Sequence, residues 1–321
     1  MSPHSIKRVL IIDAPGEDSG TLRAGLAFAD RVGAEVMVMV ATPIPTNLRP
    51  LLPQLGLSGD EVWSRLKQSK ANDMNTKLTE LFPGREIPVL VAVGKPYMEI
   101  VHAVKAHGID LVVKIAEELE ESSDHVFAST DQHLLRKCPC KVWLRQPRGE
   151  IEHRHVLAAL DVDFDDAEEP ETLRELNASI LRTALAFAQG TDAKVHVLHA
   201  FEPPSLALLE ALFPEKKLGR GDRFAELTAE RLQALEALGA QVAAGTDEVA
   251  PPISYHVLQG DPRKVIAHAV DDLAIAYLVM GTVARTGLEG VIIGNTAEDT
   301  QNSVARSLVA VKPAGFVSPL K

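Results

Sequence analysis

Val279-Met-Gly281-Thr-Val-Ala284-Arg285-Thr-Gly287-Leu-Glu-Gly290-Val-Ile-Ile-Gly294-Asn295-Thr296-Ala-Glu298 is the stretch that decides the fold. It continues an apolar run that starts at Ala274 and reads as a buried strand. Beyond Thr296 the chain turns polar and helix-like. A strand, a glycine-rich loop and a helix start together form the element with which α/β proteins hold anions. Glycine lets the backbone approach closely, and the free N–H groups of the first helical turn point at the ligand. The loop lacks a Gly-Lys-Ser/Thr ending, so it is not an ordinary P-loop. The alternative is a tight loop packed on its own sheet.

Strands and helices alternate outward from this point. In the first half, Arg8 to Asp13 is an apolar run ending on an acid. Leu22, Leu26, Ala29 and Val32 follow at helical spacing, and Gly33 closes that helix. Glu35 to Ala41, Ile87 to Val93, Ile109 to Ile115 and Lys141 to Leu144 read as the remaining strands. Ser58 and Glu61 have capping-box spacing. Pro96 suits a first helical position, and Asp131 to Lys137 reads as a further helix. Such alternation implies a parallel sheet covered on both faces, with right-handed crossovers.

The second half repeats this plan. Val156 to Asp161 again ends on an acid. Leu22-Arg-Ala-Gly-Leu-Ala-Phe-Ala29 is answered by Leu181-Arg-Thr-Ala-Leu-Ala-Phe-Ala188. Gly94-Lys-Pro96 is answered by Gly260-Asp-Pro262, and the helices after them match at Ile100/Ile266 and His102/His268. Three matches in one order, about 160 residues apart, indicate an internal duplication. The expected architecture is α/β: two tandem five-stranded parallel-sheet domains, residues 1–148 and 149–321, packed as a pseudo-dimer. Phe164 to Thr172 reads as a solvated acidic insertion.

Composition limits the function. Of 321 residues, 46% are hydrophobic and 24% charged, the balance of a globular protein, and the formal charge is −11. That charge argues against a nucleic-acid footprint, which needs clustered Lys and Arg. No apolar run has membrane-spanning length, and no signal core opens the chain, so a cytoplasmic location is expected. Cys138 and Cys140 read as reduced thiols at a strand start.

The two βαβ-rich halves, each with an acid ending its first strand, and the late glycine loop resemble the universal stress protein family in tandem form. The resemblance rests also on Gly294-Asn-Thr-Ala-Glu298 and on Thr130-Asp131-Gln132-His133 through Cys138-Pro. It covers essentially the whole chain. It implies a Rossmann-like fold of the adenine nucleotide alpha hydrolase type. It also implies last strands, Lys141 to Leu144 and Leu308 to Val311, that can pair within the chain. The family motif of Gly, two residues, Gly, nine residues, Gly, then Ser or Thr falls on Gly281, Ala284, Gly294 and Asn295. Two positions depart: Ala284 disfavours a positive φ, and Asn295 offers an amide where the family has a hydroxyl.

Carried over residue by residue, the resemblance implies an adenine nucleotide such as ATP, with Mg²⁺, held by Asp161, Gly281, Gly294, Asn295 and Thr296. Arg285 is a nearby cation able to pair with phosphate. The first half has no glycine between Ile109 and Arg148, and Glu117-Glu-Leu-Glu-Glu-Ser-Ser-Asp124 would repel phosphate.

The remaining candidates read more plainly. His102 and His268 are expected to pack on their sheet. His125 and His133 are expected to be solvated. His196 and His199 point to opposite faces of one strand and make a poor metal pair. Asp163 to Asp166 reads as an acidic loop, and neither a metal set nor a catalytic constellation is evident. Three functions follow from these readings. The first is a non-enzymatic stress-response regulator, monomeric or homodimeric, with an unknown protein partner. The second is a slow ATP hydrolase using Asp161. The third is a carrier of an apolar or amphipathic ligand held under Thr42 to Leu57 and Ala200 to Pro214; the plainer alternative for the second segment is a helix, Ser205 to Leu212, packed on the sheet end.

Overall fold

In the computed structural model, residues 6–14, 19–44, 50–117, 130–146, 154–202, 212, 222–244, 251–282 and 306–320 are described. The chain divides into two compact units. One comprises Met1–Pro147 with Phe316–Lys321, the other Arg148–Gly315.

The first unit runs β1 (Arg8–Asp13), α1 (Gly20–Val32), β2 (Glu35–Thr42), α2 (Gly59–Leu81), β3 (Val89–Val93), α3 (Pro96–His107), β4 (Leu111–Ile115), α4 (Thr130–Lys137) and β5 (Lys141–Arg145). Its sheet has the order β3-β2-β1-β4-β5, and the neighbours pair in parallel. Val9, Leu10 and Ile11 are fully buried because β1 is central and covered on both faces, as a continuous apolar run requires. α1 lies close on β1: a Cβ at Gly25 would stand 2.7 Å from Ile11 Cδ1. The returning C-terminal segment belongs to this unit, and the Lys105 ammonium donates to the Leu320 carbonyl.

The second unit runs β6 (His155–Ala159), α5 (Pro170–Ala188), β7 (Lys194–Phe201), α6 (Asp222–Ala243), β8 (Ile253–Gln259), α7 (Pro262–Asp272), β9 (Tyr277–Gly281) and β10 (Ser307–Val311). Its sheet order is β10-β9-β6-β7-β8, again parallel. Both units therefore have the expected five parallel strands. In each, the chain adds its first three strands to one side and then jumps back across the first. This reversal opens a crevice at the carboxyl ends of β1 and β4, and of β6 and β9.

Several boundaries differ from the sequence reading. β3 starts at Val89, because Pro88 has no N–H for the ladder and offers only its carbonyl, to Val38 N at 2.9 Å. β6 ends at Ala159, because the main chain of Asp161 is bound by a side chain instead of a strand. The acidic insertion is largely ordered. Phe164–Asp166 forms a 3-10 turn, and α5 begins at Pro170, whose fixed φ and missing N–H suit a helix start. Ser58 does cap α2, accepting from Glu61 N at 3.1 Å, while the Glu61 carboxylate pairs with Arg65. Cys138 and Cys140 are free, with sulfurs 3.5 Å apart.

Candidate functional site

The two crevices have different contents. In the first unit Asp13 ends β1, and its Oδ1 lies 2.7 Å from Lys77 Nζ of α2. At the end of β4, Lys114 is buried and donates to Asp131 Oδ1 at 2.8 Å and to the Ile115 carbonyl at 2.9 Å. Asp131 Oδ2 accepts from Glu117 N at 2.7 Å, and Glu117 in turn accepts from Thr130 N at 3.0 Å. Burial raises the Asp131 carboxyl pKa against the pull of Lys114. Internal ion pairs of Lys114 with Asp131 and Glu117 thus gather at the end of β4. Of the glutamates expected there, only Glu117 lies within the described residues.

In the second unit, Asp161 stands just beyond β6 and Gly281 closes the adjacent β9, with Ala159 and Met280 in register. Asn177 of α5, 1% exposed, holds the strand end at both main-chain groups. Its Oδ1 accepts from Asp161 N at 3.2 Å, and its Nδ2 donates to Asp161 O at 2.6 Å. Gly281 backs onto the same helix, where a Cβ would meet Leu176 Cδ2 at 3.1 Å. Glycine at this position thus serves close helix–strand approach. Thr282 follows, buried, and its hydroxyl has no hydrogen-bond partner among the described residues. Arg285, Gly294, Asn295 and Thr296, with Ala284, lie outside the described residues.

The structure brings together residues that sequence reading kept apart. Asp163 is no solvated loop acid: its Oδ1 receives Arg231 Nη2 of α6 at 2.7 Å, and its Oδ2 faces His199 Nε2 at 3.6 Å. Arg231 also lies over the Phe201 ring at 4.4 Å. Asp161, Asp163 and His199 each offer an atom within 4.8 Å of the others. Desolvation lowers the His199 pKa and favours the neutral ring. On the same strand, His196 faces a second group. Its Nε2 is 2.9 Å from His155 Nδ1, and its Nδ1 is 3.0 Å from His256 Nε2. Burial, with His256 and His155 beside it, lowers its pKa to about 4. The strand period does separate His196 from His199, but the partners of His196 lie on other strands and those of His199 in the loop after β6, so they leave no spacing signal.

Two further expectations are corrected. His133 is not simply solvated, since its ring stacks on Tyr97 with centroids 4.0 Å apart. His268 is exposed, so it does not pack on the sheet. The expected helix at Ser205 to Leu212 lies outside the described residues except Leu212, which is exposed.

The universal stress protein family model matches the chain twice, over residues 6–145 and 173–312. The chain belongs to the universal stress protein family. The two matches fall one in each unit, which makes it a tandem member. It is similar to universal stress protein E of Salmonella typhi, with 26% identity over 328 residues, 98% of this chain and 96% of that one. The universal stress protein E homolog of Haemophilus influenzae is 28% identical over 215 residues, covering 66% and 64% of the two chains. Among solved structures, a functionally unknown protein of Pseudomonas aeruginosa PAO1 superposes with a TM-score of 0.64 at 22% identity, covering 97% of this chain and 94% of its own. A universal stress protein of Archaeoglobus fulgidus gives 0.61 at 16% identity, covering 95% and 98%. These likenesses extend the tandem fold over the whole chain. Among the described residues, no helix is long and apolar enough to cross a membrane.

Proposed function

We propose that this tandem universal stress protein is a non-enzymatic stress-response regulator that binds an adenine nucleotide in its second unit alone. The contrast between the two strand-end acids carries the reading. Asp13 is tied to Lys77, and the neighbouring strand end is filled by the Lys114–Asp131 pair. Asp161 instead has its main chain fixed by Asn177 at the switch point, and its Oδ1 accepts from Asp163 N. The buried Thr282 hydroxyl beside it is a ready donor or acceptor for a ligand. The glycine loop that follows β9 would hold phosphates, with Mg²⁺ carried on the nucleotide. The first unit then acts as a scaffold.

Calorimetry with ATP and ADP, with and without Mg²⁺, tests this on the full chain and on Gly294→Asp and Asp161→Ala variants. The expected result is one nucleotide per chain, lost in the first variant and weakened in the second. No binding by the intact protein would overturn it. A measured phosphate release that Asp161→Ala abolishes would move the reading to a slow ATP hydrolase.

One observation favours a second role for the surface around α2. Leu51, Leu55 and Leu57, in the turn that precedes that helix, are 46%, 67% and 38% exposed. Leucines this open in one turn suit an apolar ligand or a protein partner. Mass spectrometry of extracts from the purified protein distinguishes the two: a recurring small molecule marks a carrier, and a blank leaves the partner.

A further inference from the structure

We propose that Asp161, Asp163 and His199 form a protein-borne site for a divalent transition cation of the zinc or manganese class. The proposal does not rest on nucleotide binding, because all three ligands come from the protein itself.

His199 is the decisive residue. Its side chain is 1% exposed, and its Nε2 has no hydrogen-bond partner among the described residues. A buried polar atom left this way costs stability unless something meets it. Nδ1 lies 3.1 Å from the Leu160 carbonyl. Val162 N–H points at the same nitrogen at 3.4 Å, so Nδ1 has both an acceptor and a donor beside it, and the acceptor is the nearer. An unprotonated Nδ1 would place two lone pairs against each other at 3.1 Å. With the proton on Nδ1 donated to a carbonyl, Nε2 presents its lone pair toward the carboxylates. Metal-ligating histidines are held in just this way by a second-shell acceptor.

The distances suit an ion. Ligands about 2.0–2.2 Å from a tetrahedral centre stand about 3.3 Å apart. His199 Nε2 and Asp163 Oδ2 are 3.6 Å apart, and the Asp161 ligand atom lies within 4.8 Å of both, so small side-chain shifts close the set. Asp161 Oδ1 accepts from Asp163 N at 3.2 Å, which joins the two acids. Arg231 engages Asp163 at its other oxygen and orients it. Two carboxylates beside a neutral imidazole make a donor set that suits a divalent cation. One nitrogen and two oxygen donors suit zinc, cobalt or manganese better than magnesium or calcium, which prefer oxygen alone. Three protein ligands leave a position for water or a ligand oxygen.

The test uses the full chain, stripped with chelator and free of nucleotide. Co²⁺ alone is followed by its visible absorption, and Zn²⁺ alone by calorimetry. One ion per chain is expected, with Zn²⁺ displacing Co²⁺ and Mg²⁺ failing to compete. His199→Gln and Asp161→Asn should each weaken binding at least about tenfold. His196→Gln, in the separate histidine group, should leave it unchanged. Asp161→Asn keeps an oxygen acceptor and the main-chain bonds to Asn177, so it decides the matter if His199→Gln fails to fold. The proposal is overturned by no binding above the chelator background, by full affinity in the variants, or by loss in His196→Gln alone.

Discussion

Lys77 Nζ rests 2.7 Å from Asp13 Oδ1, joining the C-terminal part of α2 to the carboxyl end of β1 across 64 positions of sequence. This pair gives the acid that ends the first strand a cationic partner on a helix of its own unit. Both side chains are largely shielded, so breaking the pair should cost more than breaking a surface ion pair. Lys77→Met is expected to destabilise the protein by about 1–3 kcal/mol, and Asp13→Asn added to it should cost less than the sum of the two single changes. Urea denaturation of the four proteins in the cycle measures the coupling. Strict additivity would show that the contact carries no energy.

Asn177 replaces a strand neighbour at the end of β6. Asn177→Ala removes both of its hydrogen bonds from a buried site and should lower stability by about 1–3 kcal/mol. Asn177→Asp should also destabilise, because a carboxylate keeps the acceptor for Asp161 N but has no donor for the Asp161 carbonyl. A variant with unchanged stability would show that the loop after β6 is held by other contacts.

Gly25 has a different task. Its helix approaches β1 so closely that a methyl group would press on the fully buried Ile11. Gly25→Ala should therefore destabilise by about 1–3 kcal/mol, although alanine favours helices. Pairing it with Ile11→Val should restore part of the loss, as thermal melting of the two proteins would reveal.

Acid should act through His196 and His256. His196 has a folded pKa of about 4, below the ordinary 6.5, because burial and its two neighbours disfavour a charged ring. His256 is lowered as well. Between those values the unfolded chain binds more protons than the folded one, so stability rises with pH there. It is full above about 6.5 and lost progressively as pH falls toward 4, by roughly 2–3 kcal/mol for His196. Urea midpoints from pH 4 to 7 should follow this curve. His196→Leu should flatten it, with the remaining slope belonging to His256 and other groups.

The sequence made the duplication and the strand cores legible because apolar runs such as Val9 to Ile12 and Leu278 to Met280 signal burial locally. Gly33 and Gly108 ended their helices as expected, both with positive φ. What stayed hidden was pairing across long separations. Asn177 binding Asp161, Arg231 binding Asp163, and the contacts of His196 with His155 and His256 depend on strand register and helix placement. Sequence order carries no trace of these. Asp163 looked like one acid among several in an acidic run, and only its neighbours in space distinguish it from Asp165.

The placement of Phe316–Lys321 with the first unit bears on the order in which the protein is made. The first unit emerges from the ribosome before the second, yet its contact from Lys105 to the carbonyl of Leu320 must wait until the whole second unit has been made. The unit that starts folding first is thus among the last to finish. A nascent chain that stalled within the second unit would leave the first without its final strap.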